Sequence, residues 1–261
     1  MDAGEFKRRL FELDSEFVSA EWADKRNAIV ASLLDNDPGK FLALSEVRDT
    51  IYFVNANITQ SAYNRLNDRY KSVLDYPKFG GAYVHSDYCP HLALQALHLQ
   101  TMEEMYGVNV ASQATIVEFG GGFGGMALLA RRLGFTGNYI SYEENCMALL
   151  QEYFLEHEGV DADVRTVDDW RGGEITPKPG LMICAYAWSQ AIEGFARLFF
   201  EAMEPHAALF FEPQVYRKRN IVHEITSALN YEENQYDWTY GVPDFLRSYF
   251  YITAERMDDV N

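Results

Sequence analysis

The segment Ile116-Val117-Glu118-Phe119-Gly120-Gly121-Gly122-Phe123-Gly124-Gly125 is where this chain concentrates its capacity for chemistry. An apolar stretch runs into a glycine-dense turn, and a helical pattern from Gly125 to Leu133 follows. Without side chains the backbone there turns sharply and lets a ligand approach closely. The free N–H groups of a helix start suit polar or anionic ligand groups. Two spacings overlap. Gly120, Gly122 and Gly125 fit G-x-G-x-x-G, a dinucleotide fingerprint. Glu118, Gly120, Gly122 and Gly124 fit acidic-x-G-x-G-x-G. The next apolar stretch ends in Glu143-Glu144, at the ~20-residue offset where an acidic residue accepts both hydroxyls of a ribose.

Histidines, the side chains that titrate near neutral pH, cluster just upstream. His85, His91 and His98 lie in and after Val84-His85-Ser86-Asp87-Tyr88-Cys89-Pro90-His91. His91 and His98 are seven residues apart and share one face of a helix. His91 is the first candidate for a general base, because it sits near a helix start beside a loop. Partly exposed or capped structural histidines are the alternative. Cys89, Cys146 and Cys184 are widely spaced and odd in number, so they give neither a disulfide framework nor a zinc signature. The histidines form no H-E-x-x-H pair, and no metal is expected.

The elements that must position these residues fall into two regions. Residues 1–110 read as a helical lobe. Phe6, Leu10, Leu13 and Phe17 recur at helical spacing, as do Ile29, Leu33 and Leu34. Asp37-Pro38-Gly39 breaks the chain. Ser61 to Leu74 predicts a helix, and Pro90 to Tyr106 another, opened by a first-turn proline and closed by Gly107. From 111 to 261, strand candidates at 115–119, 138–142, 162–167, 181–185, 207–211 and 249–254 alternate with helices. Such alternation predicts an α/β fold with a mainly parallel sheet covered on both faces.

Glu118 to Gly125, then Tyr139-Ile140-Ser141-Tyr142-Glu143, then Met182-Ile183-Cys184-Ala185-Tyr186-Ala187-Trp188-Ser189-Gln190 resemble the sugar O-methyltransferases of bacterial polysaccharide gene clusters. These are class I S-adenosylmethionine-dependent enzymes. The resemblance spans roughly 116–211, and its fourth-strand motif is the more specific part. Gln190 stands where the family usually has Glu, and Glu143 where Asp is more usual.

The resemblance implies a Rossmann-like seven-stranded sheet with helices on both faces, S-adenosyl-L-methionine as cofactor, and a helical lid on the substrate side. It implies cofactor contacts from Glu118, Gly120, Gly121, Gly122, Phe123, Gly124, Glu143 and Tyr186. It adds Asp168 or Asp169 as an acidic contact to the adenine amino group. Trp188, Ser189, Gln190 and Glu212 then line the acceptor site, where aromatic rings suit apolar sugar faces. The implied activity is O-methylation of a sugar or sugar-containing metabolite. Three rivals stand beside it: a methyltransferase for another small molecule or a protein side chain, a degenerate fold used as a binding subunit, and a nicotinamide enzyme. The last normally adds a catalytic domain after its dinucleotide half, whereas here the extra mass precedes the loop.

Bulk composition narrows the partners. The 261 residues carry a formal net charge of −17, with 48% hydrophobic and 23% charged residues. That acidity weighs against a nucleic-acid backbone, whose binding rests on neutralised phosphates. No apolar run approaches the ~20 residues of a bilayer span. The charged start, Met1 to Leu13, lacks an apolar secretory core, so a cytoplasmic protein is expected. A homo-oligomer is compatible with the sequence.

Overall fold

A computed structural model of the chain describes residues 1–13, 20–51, 56–82, 86–170, 178–188, 190–191, 194–213, 215–216, 219–230, 236–241 and 249–257. The N-terminal region is helical, as the periodicity predicts. Helix α1 (Ala3–Glu12) is capped by Asp2, whose side chain accepts from the Glu5 N–H, and it buries Phe6 and Leu10. Helix α2 (Ala20–Asp35) buries Ile29 and Leu33, and Asp37 then caps a 3-10 turn over Pro38–Ala43. Phe17, expected to continue the first apolar stripe, lies outside the described residues. Helix α3 (Ser45–Ile51) follows.

The single helix predicted over 61–74 is two, α4 (Ala56–Arg65) and α5 (Asp68–Lys71). Asn67 separates them, because its side chain caps α5 by accepting from the Tyr70 N–H. A short polar side chain that satisfies an orphan donor favours a new helix start over continuation. Helix α6 (Pro90–Tyr106) has Pro90 in its first turn and ends on Gly107 at φ +68°, as its sequence signals require.

Strands and helices then alternate, except that no α-helix among the described residues separates β3 from β4: β1 (Thr115–Phe119), α7 (Gly125–Arg132), β2 (Asn138–Glu143), α8 (Asn145–Glu158), β3 (Asp163–Thr166), β4 (Leu181–Ala185), α9 (Phe195–Met203) and β5 (Ala207–Pro213). A two-stranded ribbon, β6 (Val215–Tyr216) with β7 (Arg219–Asn220), leads into α10 (Ile221–Leu229). An antiparallel pair, β8 (Tyr236–Gly241) and β9 (Tyr249–Arg256), closes the chain. The main sheet has seven strands in the order β3-β2-β1-β4-β5-β9-β8, parallel except for β9 and β8. This is the Rossmann-like α/β fold expected. The sequence reading missed β8, an edge strand whose alternating polar residues leave little apolar signal.

Alternation of side chains along each strand builds two cores. Ile116, Tyr139, Ile183, Leu209 and Phe211 point to one face, where α1, α6, α7 and α8 pack. Val117, Tyr142, Met182, Phe210 and Ile252 point to the other, against α9 and α10. The first core runs without interruption across residue 110, since α6 packs on α7 and on the sheet itself. No helix among the described residues is long and apolar enough to cross a membrane.

Phe199 anchors the second core. It is fully buried, and its ring meets Phe119 at 4.8 Å, Tyr142 at 5.1 Å and Trp170 at 5.2 Å. Phe199→Ala should lower unfolding stability by ~3–5 kcal/mol, read as a lower urea midpoint.

Candidate functional site

Strand order reverses between β1 and β4: β2 and β3 lie beyond one, β5 beyond the other. Loops leaving the carboxyl ends of β1 and β4 therefore diverge, and open α/β sheets bind ligands in the crevice between them. A cavity of about 350 Å³ lies there. The glycine loop forms its floor. The lobe covers it with Trp22 from α2, Thr50 from α3 and one face of α6.

The loop is shaped by three glycines at positive φ, Gly120 at +78°, Gly122 at +56° and Gly124 at +96°. A Cβ on Gly120 would collide with Ala187 Cβ, so this glycine lets the β1 and β4 loops meet. Gly122 turns its N–H onto Glu143, which accepts at 2.7 Å while its other oxygen accepts from the Glu144 N–H at 2.9 Å. Gly124 is not in the cavity wall. Its missing Cβ faces Gln151 and Leu155 at 3.0 Å, so it serves the packing of α7 on α8 rather than a cofactor contact.

Glu118, Gly120, Gly121, Gly122, Phe123, Glu143 and Tyr186 all line the cavity, with Glu144 beside them. Burial pushes the Glu143 carboxyl up to about 8, against the opposing pull of its two backbone N–H partners; the Glu144 and Glu118 charges add to the rise. Burial likewise pushes Glu118 up to about 7, less a lowering from the Tyr139 hydroxyl, which donates to it at 2.7 Å. Glu144 caps α8 and pairs with Arg26 of α2 at 2.9 Å, tying the lobe to the end of β2. Asp168 and Asp169 sit on a 3-10 turn after β3. Asp169 is spent on a capping box with Thr166, whereas Asp168 Oδ1 is buried with no hydrogen-bond partner among the described residues, one residue past the cavity-lining Val167.

The fourth-strand motif divides. Tyr186 takes φ +64°, a costly conformation for an aromatic residue. Gln190 lines the cavity, and its amide donates to the Tyr186 carbonyl at 2.6 Å. An ionised Glu, usual in the resembled family, has no hydrogen to donate there. Trp188 is not at the cavity. It is buried in the second core, with its backbone N–H donated to Glu212 at 2.7 Å. Glu212 is not at the cavity either. It is fully buried on the same face as Cys184 and holds the loop after β4. Neither side chain reaches the cavity, because Glu212 alternates with Phe211 along β5 and the turn after β4 carries Trp188 into the same core on the α9 side. Ser189 and His85 lie outside the described residues.

His91 and His98 share the cavity-facing side of α6, as their spacing predicts. His91 is partly exposed, with its ring 5.1 Å from Phe123. His98 is buried; burial, with a smaller contribution from His91, lowers its pKa to about 3. Gln95 lies between them and was missed, although its place four residues after His91 put it on the same face. Its Oε1 is buried without a hydrogen-bond partner among the described residues. Trp22, Tyr142, Met147 and Phe195 also line the cavity; their apolar spacing reads equally well as core.

No family model and no curated protein matches the sequence. Solved structures are similar to it in fold. A SAM-dependent methyltransferase from Aquifex aeolicus is 11% identical, over 77% of this chain and 98% of that one, with a TM-score of 0.45. The methyltransferase domain of bacterial CtHen1-C is 10% identical, over 62% and 97%, with a TM-score of 0.48. The mitomycin 7-O-methyltransferase MmcR is 11% identical, over 64% of this chain, with a TM-score of 0.45. The chain spans only 56% of the length of that last protein.

The two raised carboxyls set a pH dependence. The folded protein holds protons on Glu118 and Glu143 that an unfolded chain releases near 4.5. Their contribution to stability is therefore greatest below that value and is lost as pH rises toward 7–8. Thermal midpoints should fall across that window, and Glu143→Gln, which cannot ionise, should flatten the decline.

Proposed function

We propose that this protein is an S-adenosylmethionine-dependent O-methyltransferase of the cytoplasm. Its acceptor is a hydroxyl of a sugar or sugar-containing metabolite, held under residues 1–110 as the substrate-side lobe. The observation that carries the cofactor reading is the Gly122–Glu143 contact. In a dinucleotide site the loop N–H groups face a pyrophosphate. Here the Gly122 N–H is already donated to a carboxylate, and Glu118 and Glu144 line the same cavity. A cation would ionise Glu118 and Glu143, which burial otherwise keeps protonated, so the site favours a ligand that carries an ammonium and a sulfonium. The antiparallel β9 beside β5 also departs from the parallel six-stranded order of the dinucleotide fold.

The residues fit this cofactor. The outward lone pairs of Glu143 accept the ribose hydroxyls. Glu118, ionised by a neighbouring cation, faces the amino-acid end. Asp168 Oδ1, buried and lacking a donor among the described residues, suits an adenine amino group. Bound there, S-adenosylmethionine supplies an electrophilic methyl group.

Acceptor chemistry falls to α6 and the loop after β4. A hydroxyl must be aligned in line with the donor and must lose its proton. His91, partly exposed and at the cavity, takes that proton. Gln190 and Gln95 hydrogen-bond neighbouring hydroxyls, and the rings of Tyr186 and Trp22 offer apolar faces to a sugar.

Calorimetry should give binding of S-adenosylmethionine or S-adenosylhomocysteine and none comparable for NAD; the reverse preference would overturn the reading. Charged hydrogen bonds contribute on the order of 1.5–3 kcal/mol, so Glu143→Ala should weaken binding ~10–100-fold. Transfer of methyl groups should be screened across oligosaccharides, sugar nucleotides, peptides and phenols. Transfer to peptides or phenols alone would remove the saccharide and keep the methyltransferase. His91→Ala should depress turnover ~10²–10⁴-fold with cofactor affinity unchanged.

A further inference from the structure

The buried end of the α6 face carries a hydrogen bond that the sequence did not reveal. His98 Nδ1 lies 2.9 Å from the hydroxyl of Tyr251 on β9. His98 packs against Phe211 at 4.2 Å and lines the cavity, whereas Tyr251 is 6% exposed and does not line it. The phenol has no other hydrogen-bond partner among the described residues. Burial raises its pKa, so it remains protonated.

Those facts decide where the protons sit. A phenol brings one hydrogen, and a neutral imidazole brings one donor and one acceptor nitrogen. If Nδ1 carried the hydrogen, the Tyr251 hydrogen would be buried without an acceptor. If the hydroxyl donates to Nδ1, both groups are satisfied and the imidazole hydrogen is on Nε2. That second nitrogen has no protein partner among the described residues, and His98 is one of the residues that line the cavity.

We infer that His98 is a fixed hydrogen-bond donor to the acceptor substrate, and that Tyr251 is the positioning residue that locks its tautomer. The assignment rests on the methyltransferase reading only for the identity of the ligand. His98 thereby offers no lone pair for a hydroxyl proton, which leaves the base to His91. It also states what the acceptor must carry: an oxygen lone pair near the methylated hydroxyl, as a ring oxygen or vicinal hydroxyl of a saccharide provides.

The test uses the full-length protein labelled with nitrogen-15 histidine and read by long-range proton–nitrogen correlation. His98 should show the hydrogen on Nε2 and stay neutral from about pH 5.5 to 8.5. A hydrogen on Nδ1, or a cationic ring within that range, overturns the inference whether or not the protein binds S-adenosylmethionine. In Tyr251→Phe the single tautomer should give way to a mixture. An unchanged Nε2–H tautomer in that variant removes the positioning role. Methyl glucoside, galactoside, mannoside and rhamnoside are then titrated into the complex with S-adenosylhomocysteine. A shift of the Nε2–H proton with at least one of them supports recognition of a saccharide oxygen, and no shift with any of them overturns it.

Discussion

The contact between Glu143 and the Gly122 N–H organises the rest of the site. It joins the end of β2 to the loop after β1, and it needs three things at once. Gly122 must turn into the left-handed region, β2 must stop in register beside β1, and a carboxyl group must be buried among other acids. Parallel pairing supplies the register, since Phe119 sits opposite Tyr142 and Glu143 falls one step beyond. The glycine supplies the turn. Burial supplies a carboxyl that holds its proton up to about 8. A ligand that brings positive charge offsets what burial costs.

Around that contact the cavity divides by charge. Carboxyl groups collect where β1 and β2 end. Imidazole and amide groups collect under α6 and after β4: His91, Gln95, His98 and Gln190. The first region suits a cation-bearing adenosine cofactor, the second an uncharged polyhydroxyl acceptor. Arg26, paired with Glu144, spans the boundary and holds α2 over it. Lobe and sheet therefore share more than a hydrophobic core, because an ion pair at the cavity wall couples them.

Conformational strain is placed where it shapes the site. Tyr186 keeps its left-handed backbone because β4 ends there and the next residues must turn. Its N–H donates to the Phe211 carbonyl at 2.9 Å, and Gln190 donates to its own carbonyl. Glu212 takes the Trp188 N–H from inside the fold. These bonds satisfy the turn, and the ring of Tyr186 is left at the cavity. Gln190, a departure from the resembled family, is in this context the residue type that the turn requires.

Much of this was legible in the residues alone. Glycine spacing, the acids at 118 and 143 and the alternation of strands and helices are local patterns, so they located the loop, the sheet and the acidic end of the cavity. The seven-residue interval between His91 and His98 put both on one face, because helical periodicity does not depend on what the helix touches. What strands bury, and against what, is not local. Trp188 and Glu212 looked like acceptor contacts from their position after strands, yet the side on which each falls is set by how the β4 and β5 ends turn into the second core. Gly124 belonged to the glycine motif but faces α8. The partner of His98 lies 153 residues away on a strand that folds back antiparallel beside β5. Only strand order brings it there, and with it the tautomer that decides what His98 can do.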